Sequence, residues 1–118
     1  MTPQDFFKND LFAERTGIVL MEVREGYSKA RLEIKKEHLN AGNRTQGGAI
    51  FTLADLTLAA AANSHGQLAF SLSSNITFLR ASGIGDTLYA EARERYIGRS
   101  TGYYLSLIHI SEPTRRRG

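Results

Sequence analysis

Between Gln46 and Ser64 lies the segment that most limits how this chain can fold. Ile50, Leu53, Ala54, Thr57, Leu58 and Ala61 share one stripe of a helix, and Ala59, Ala60 and Ala62 leave the other side apolar too. A helix that is apolar nearly all round has to be enclosed. Its many alanines let a sheet come close on several sides, and Asn63, Ser64 and Gly66 end it. A chain of 118 residues builds one core. The enclosing sheet must therefore come from the segments that flank this helix.

Those segments have the right pattern. Residues 2–15 read as one N-terminal helix, with Thr2 as cap, Pro3 at the first position and Phe6, Phe7, Leu11 and Phe12 on one face. Gly17 ends it. Ile18–Val23 and Tyr27–Lys35 read as strands joined at Glu25-Gly26; in the second, Ala30, Leu32 and Ile34 alternate with Arg31, Glu33 and Lys35. After the helix, Leu68–Arg80 and Asp86–Ile97 read as two further strands, punctuated by Gly83 and Gly85. Gly98–Thr101 turns the chain into a last strand beginning at Gly102-Tyr103-Tyr104. The expected class is α+β, an antiparallel sheet curled around one helix.

Composition narrows the function. With 42% apolar and 23% charged residues the balance is that of an ordinary globular domain. The longest apolar run, Leu58–Ala62, is far too short to span a bilayer. No basic n-region followed by an apolar block opens the chain, so no signal peptide is expected, and the expected compartment is the cytoplasm. The absence of cysteine excludes a thiolate nucleophile and a cysteine-ligated metal. No His, Asp and Glu cluster has metal-ligand spacing, so no metal is expected. His38 and His65 read as surface or loop residues rather than ligands.

The formal charge of +3 is mostly a property of the C-terminus. Setting aside Arg115, Arg116, Arg117 and Glu112 leaves 12 basic and 11 acidic residues, a net of +1. A nucleic-acid partner is therefore not expected. The same tail carries LSLIHISEPTR at residues 105–115, which matches the in-frame translation of a transposase sequencing adapter; the alternative is a real β-strand, Leu105, Leu107 and His109 alternating loosely with Ser106, Ile108 and Ser111. On the adapter reading the native domain is 1–104, and 105–118 is a non-native tail without function.

Two features carry chemistry. Gly47 and Gly48 sit where the apolar helix begins, and a helix N-terminus offers unpaired N–H groups and a positive dipole end. That arrangement suits an oxyanion, or simply a tight loop-to-helix entry. Asp55 lies inside the helix between Leu53, Ala54 and Leu56. A carboxylate so placed is catalytic, or it is structural and caps a loop or pairs with an arginine. Eight residues of helix separate Gly47 from Asp55, about 12 Å. Two chains with antiparallel helices can bring both to one carbonyl, so an obligate dimer is expected.

The segment HLNAGNRTQGGAIFTLADLTLAAA resembles the signature of PaaI-type hotdog-fold acyl-CoA thioesterases: H-x-N, then H-G-G, then L-A-D on the central helix. NDLFAERTGI before it, and SSNITFLRAS, GDTLYAEA and GRSTGYY after it, extend the likeness over Phe6 to Tyr104. The resemblance implies a hotdog fold, its sheet wrapped around the helix and its C-terminal strand cut short. It implies hydrolysis of acyl-CoA, with an aryl-acyl (phenylacetyl-type) substrate as one option. It also implies a homodimer, assembled further as a homotetramer, with no membrane partner and no cofactor beyond the CoA of the substrate.

By position, the resemblance makes Asp55 the carboxylate that activates water or attacks the thioester. Gly47 and Gly48 become the backbone donors to the carbonyl, acting across the dimer. Asn40 would help hold the water or thioester, and Ser71 would assist the nucleophile. Asn75 would line the cleft, and Arg80, Arg99 and Ser100 would contact the CoA nucleotide. One position departs from the pattern: Gln46 stands where the family has histidine, and glutamine can donate a hydrogen bond but cannot titrate near neutral pH. That departure keeps a non-catalytic acyl-CoA-binding module as the alternative. A hotdog hydratase would need a histidine near an acid, and neither His38 nor His65 is convincingly placed for it.

Overall fold

The computed structural model describes residues 2–112. The N-terminal segment is two short helices rather than one: α1 (Pro3–Phe7) and α2 (Leu11–Thr16). The break has a local cause. Asp10 Oδ1 accepts from the Ala13 N–H at 3.1 Å, so the chain starts a new helix there. Gly17, at φ +100°, ends α2 in the left-handed conformation that favours glycine.

Strands β1 (Val19–Arg24) and β2 (Tyr27–Glu33) turn at Glu25-Gly26, and β3 (Thr87–Ile97) and β4 (Gly102–Ser111) follow the central helix α3 (Gly47–Ala62). The four strands form one antiparallel sheet in the order β1-β2-β3-β4. No break falls at residue 104: β4 runs through Leu105 to Ser111, all of it paired with β3.

The helix lies along β2 in the opposite direction, and the sheet's inner face is graded to receive it. Cross-strand pairs on that face run from Leu32–Leu88 through Ala30–Ala90 to Ser28–Ala92. At the large end Leu53 packs with Leu32, Ile34 and Leu88. At the small end the backbones are close enough for the buried Ser28 hydroxyl to donate to the Thr57 carbonyl. Beyond it, the Gly26 N–H donates to Ser64 Oγ at 2.8 Å. Packing is thus a wedge, wide at Leu53 and tight at Thr57.

Two expectations are corrected. The helix is not enclosed all round: Leu53, Ala54, Leu56, Thr57, Ala60 and Ala61 are buried, while Phe51 and Asp55 are exposed. Only the sheet covers it closely. Residues 68–80, expected as a strand, form neither helix nor strand, bend at Leu72 and Arg80, and belong to no sheet. Alternating side chains reveal an extended backbone, but a strand also needs a neighbour, and the edge of β4 stands across an open groove.

Candidate active site

The loop before α3 is built by its own polar groups. Asn40 Oδ1 accepts from the N–H groups of Gly42 (2.8 Å) and Arg44 (3.1 Å), which closes the turn. Thr45 N–H donates to the Ser82 carbonyl at 2.9 Å, and the Ser82 hydroxyl donates to Thr45 Oγ1 at 2.6 Å. Gln46 then caps the helix, its side-chain oxygen accepting from the Gly48 N–H. The Gly47 N–H donates to no acceptor among the described residues. A Cβ at Gly47 would stand 3.3 Å from the Phe78 ring, and one at Gly48 would stand 2.7 Å from the Gln46 carboxamide. A Cβ at either position would press on the end of a side chain, the Phe78 ring or the Gln46 carboxamide.

Asp55 projects from the open side of α3 and borders two cavities. The larger, about 1500 Å³, is the groove between α3, residues 67–82 and β4. Ser71, Asn75, Arg80, Arg99 and Ser100 line this same groove. The smaller, about 330 Å³, is walled by Asp10, Phe12, Phe51, Thr52 and Asp55. Desolvation among the surrounding apolar groups raises the Asp55 pKa; the Asp10 carboxylate adds to the rise, and the Ser71 hydroxyl works against it. A carboxyl held above its ordinary range is a better proton acceptor once ionised.

The sequence-derived site thus falls into two groups. Asp55, Ser71, Asn75, Arg80, Arg99 and Ser100 meet along the groove, while Asn40, Gln46, Gly47 and Gly48 lie at the helix entry and border neither cavity. Within one chain they form no single constellation. His38 is not a surface residue: it is buried, its Nδ1 accepting from Lys35 N–H at 2.8 Å and its Nε2 standing 2.5 Å from the Thr16 carbonyl. This fixes the neutral Nε2–H tautomer and ties the loop to α2. His65 is exposed and pairs with Glu94 (2.5 Å) and Glu25 (3.3 Å).

Sequence reasoning missed the small cavity. Asp10 reads as a mid-helix residue until its capping role is seen, and the Phe51–Asp55 spacing of four is the signal that places both on one helix face. Among the described residues no group of three or more His, Cys, Asp or Glu is placed to hold a metal, and no helix is long and apolar enough to cross a membrane.

Residues 42–115 match the family model of the thioesterase superfamily. The chain belongs to that superfamily. The acyl-coenzyme A thioesterase PaaI of Escherichia coli K12 is 37% identical over 98 residues, 83% of this chain and 70% of that protein. A protein of Archaeoglobus fulgidus, named only provisionally as an esterase, is 46% identical over 99 residues, covering 84% of this chain. The chain spans 64% of that relative's length. The solved structure of E. coli PaaI, titled as a protein of the phenylacetic acid degradation operon, superposes with a TM-score of 0.87 at 35% identity. That match covers 90% of this chain and 77% of the other. A Streptococcus mutans UA159 protein solved bound to acetyl-CoA matches at TM-score 0.76 and 28% identity, over 80% and 76% of the two chains. The fold is accordingly the PaaI-type hotdog expected from the motifs, an antiparallel sheet around one long helix.

Proposed function

We propose that this chain hydrolyses acyl-CoA thioesters to the free acid and CoA. The observation that carries the reading is Asp55, a carboxylate of raised pKa on the open face of the central helix, bordering both a small cavity walled by Asp10, Phe12, Phe51 and Thr52 and a long groove. In the mechanism, Asp55 takes a proton from water as its oxygen attacks the thioester carbonyl, or attacks that carbon itself. The carbonyl becomes an oxyanion held by the Gly47 N–H of a second copy, because one chain's own helix separates the two groups. With water as the nucleophile, the C–S bond breaks and the proton taken up by Asp55 goes to the leaving CoA sulfur. With Asp55 as the nucleophile, the C–S bond breaks to leave an acyl–aspartyl anhydride and CoA thiolate; a water then cleaves the anhydride, regenerating the carboxylate and supplying the proton to the sulfur.

Arg80, Arg99, Ser100 and Asn75 border the groove where the nucleotide would lie, the arginines offering charge-assisted bonds to phosphate. Ser71 steadies the carboxylate, and Asn40 orders the loop at the helix entry. The acyl class we favour is aryl, of the phenylacetyl type, because Phe12 and Phe51 wall the small cavity beside Asp55 and the E. coli relative comes from a phenylacetic acid operon. The working form is a cytoplasmic homodimer, paired into a homotetramer, with no cofactor beyond the substrate's CoA. We retain 1–104 as the native unit and 105–118 as an adapter-derived tail; sequencing the coding DNA from a library made with a different adapter tests this.

One observation favours the second reading, binding without turnover. The Gln46 side chain occupies the Gly48 N–H, leaving Gly47 alone to meet an oxyanion. The deciding experiment is hydrolysis of aryl- and alkyl-CoA esters, followed with a thiol-reactive dye, beside Asp55→Ala. Turnover abolished by the substitution supports the enzyme. Binding of CoA esters without turnover in the parent supports the module.

A further inference from the structure

We infer that Asp10 sets which acyl groups this chain accepts by their charge: it turns away acyl groups that carry a second, distal carboxylate and admits neutral ones. The inference rests on the proposed function for one point, that the acyl group lies beside Asp55.

Size assigns the small cavity to the acyl end of the substrate. It holds about 330 Å³. Ligand pockets run from ~300 to ~1,000 Å³, so this one has room for an acyl group and none for a nucleotide as well. Two of its walls are aromatic, Phe12 from α2 and Phe51 from α3, and a ring or alkyl chain is desolvated between them.

The polar part of the wall is one-sided. Asp55 borders the cavity from α3 and Asp10 from the start of α2, and no cationic side chain lies among the walls. Asp10 is half-buried and close enough to act on Asp55 through its charge. Its Oδ1 accepts from the Ala13 N–H at 3.1 Å, which fixes the carboxylate in place. Thr52 is the remaining polar wall, and it donates its hydroxyl hydrogen to the Gly48 carbonyl at 2.7 Å. The wall side chains therefore present oxygen acceptors and no spare donor. A carboxylate carried in on an acyl chain would lose its water, gain no donor from these side chains and stand beside two like charges. A neutral acyl group meets none of these penalties.

The two carboxylates differ in what they can give up. The proposed chemistry needs the charge of Asp55, whereas Asp10 makes and breaks no bond. Asparagine would cap α2 as well as aspartate does, so the charge at position 10 can be removed alone. Asp10 is thus a specificity-determining residue rather than a catalytic one.

The test is calorimetric titration of the full chain with three CoA thioethers, which cannot be hydrolysed. They are S-(2-phenylethyl)-CoA and its para-carboxamide and para-carboxylate derivatives. The carboxamide has the shape of the carboxylate without its charge. The carboxylate should bind at least about thirtyfold more weakly than the carboxamide, and Asp10→Asn should narrow that ratio at least about fivefold. Glu14→Gln removes the same charge from an exposed site on α2 and should leave the ratio unchanged. The inference is overturned if carboxamide and carboxylate bind alike, if Asp10→Asn leaves the ratio as it was, or if Glu14→Gln narrows it equally. Failure to bind any of the three overturns both the inference and the proposed function. Charge-selective binding together with inert phenylacetyl-CoA sinks the hydrolysis alone and supports the inference.

Discussion

Exchanging the leucine and the alanine at positions 88 and 90 tests whether the core is a graded wedge or merely a filled volume. Both residues face α3 from β3 and are fully buried, Leu88 at 1% and Ala90 at 0% exposure. Leu88→Ala removes three carbons at the wide end. At about 0.8 kcal/mol per CH₂ the transfer loss is about 2.4 kcal/mol, and the cavity left behind raises the cost to about 3–4 kcal/mol. Ala90→Leu adds the same three carbons where the sheet face is lined by alanine, near the bond that holds the Ser28 hydroxyl to the Thr57 carbonyl. Overpacking there costs about 1–3 kcal/mol.

The double variant L88A/A90L restores the total core volume. If volume alone mattered it would lie within about 1.5 kcal/mol of the parent. The wedge requires the two costs to add, to about 4 kcal/mol or more, because the helix cannot pivot while its far end is bonded to Ser28 and Gly26. Urea unfolding followed by far-UV circular dichroism reads this as a fall in midpoint at constant slope. A double variant as stable as the parent would refute the wedge.

Three further outcomes are expected. Asp10→Asn keeps the α2 cap, since asparagine caps as well as aspartate, but deletes the charge that helps raise Asp55; the acidic limb of the pH–rate profile should move to lower pH, and an unmoved limb would show that Asp10 does not reach Asp55. Glu94 and Glu25 raise the His65 pKa, so the pair's contribution is full below the unfolded histidine value and fades as pH rises through the folded one, while the lowered pKa of Glu94 makes it fade again in acid; His65→Gln should therefore flatten the decline of the urea midpoint between pH 6 and 8. Gly47→Ala places a Cβ 3.3 Å from the tip of the Phe78 ring, which can yield, and removes a glycine from the helix while keeping the backbone N–H; stability should change by less than about 1 kcal/mol while the added methyl crowds the approach of the thioester and turnover falls, and full turnover would show that the thioester does not pack against Gly47.

Much of this was legible in the chain. The alanine-rich helix, the turn at Glu25-Gly26, the alternation in β2 and β3 and the carboxylate among apolar neighbours are local patterns, and local patterns follow from 3.6- and 2-residue periods. The family motifs give Asp55 and the glycine pair their expected roles by position. What sequence could not supply was pairing and proximity. Residues 68–80 alternate as a strand does yet lie unpaired, because a strand is a relation between two segments and the neighbour is not encoded in either. Residues 2–15 share one apolar face yet break at Asp10, because a side-chain cap outcompetes helix continuation there. His38 looked like a loop residue and is a buried clamp, since its value lies in the Thr16 carbonyl it meets 22 positions away.

The sequence by itself therefore determined the kind of elements, the one long apolar helix and the chemistry available to it. The tertiary structure alone decided that Asp10 and Phe12 meet Asp55 across the small cavity, that Gln46 holds the Gly48 N–H, and that one long groove stays open beside β4. The reason is physical: periodicity and propensity act within a few residues, whereas desolvation, electrostatic coupling and edge pairing depend on distances that exist only after the chain has closed on itself.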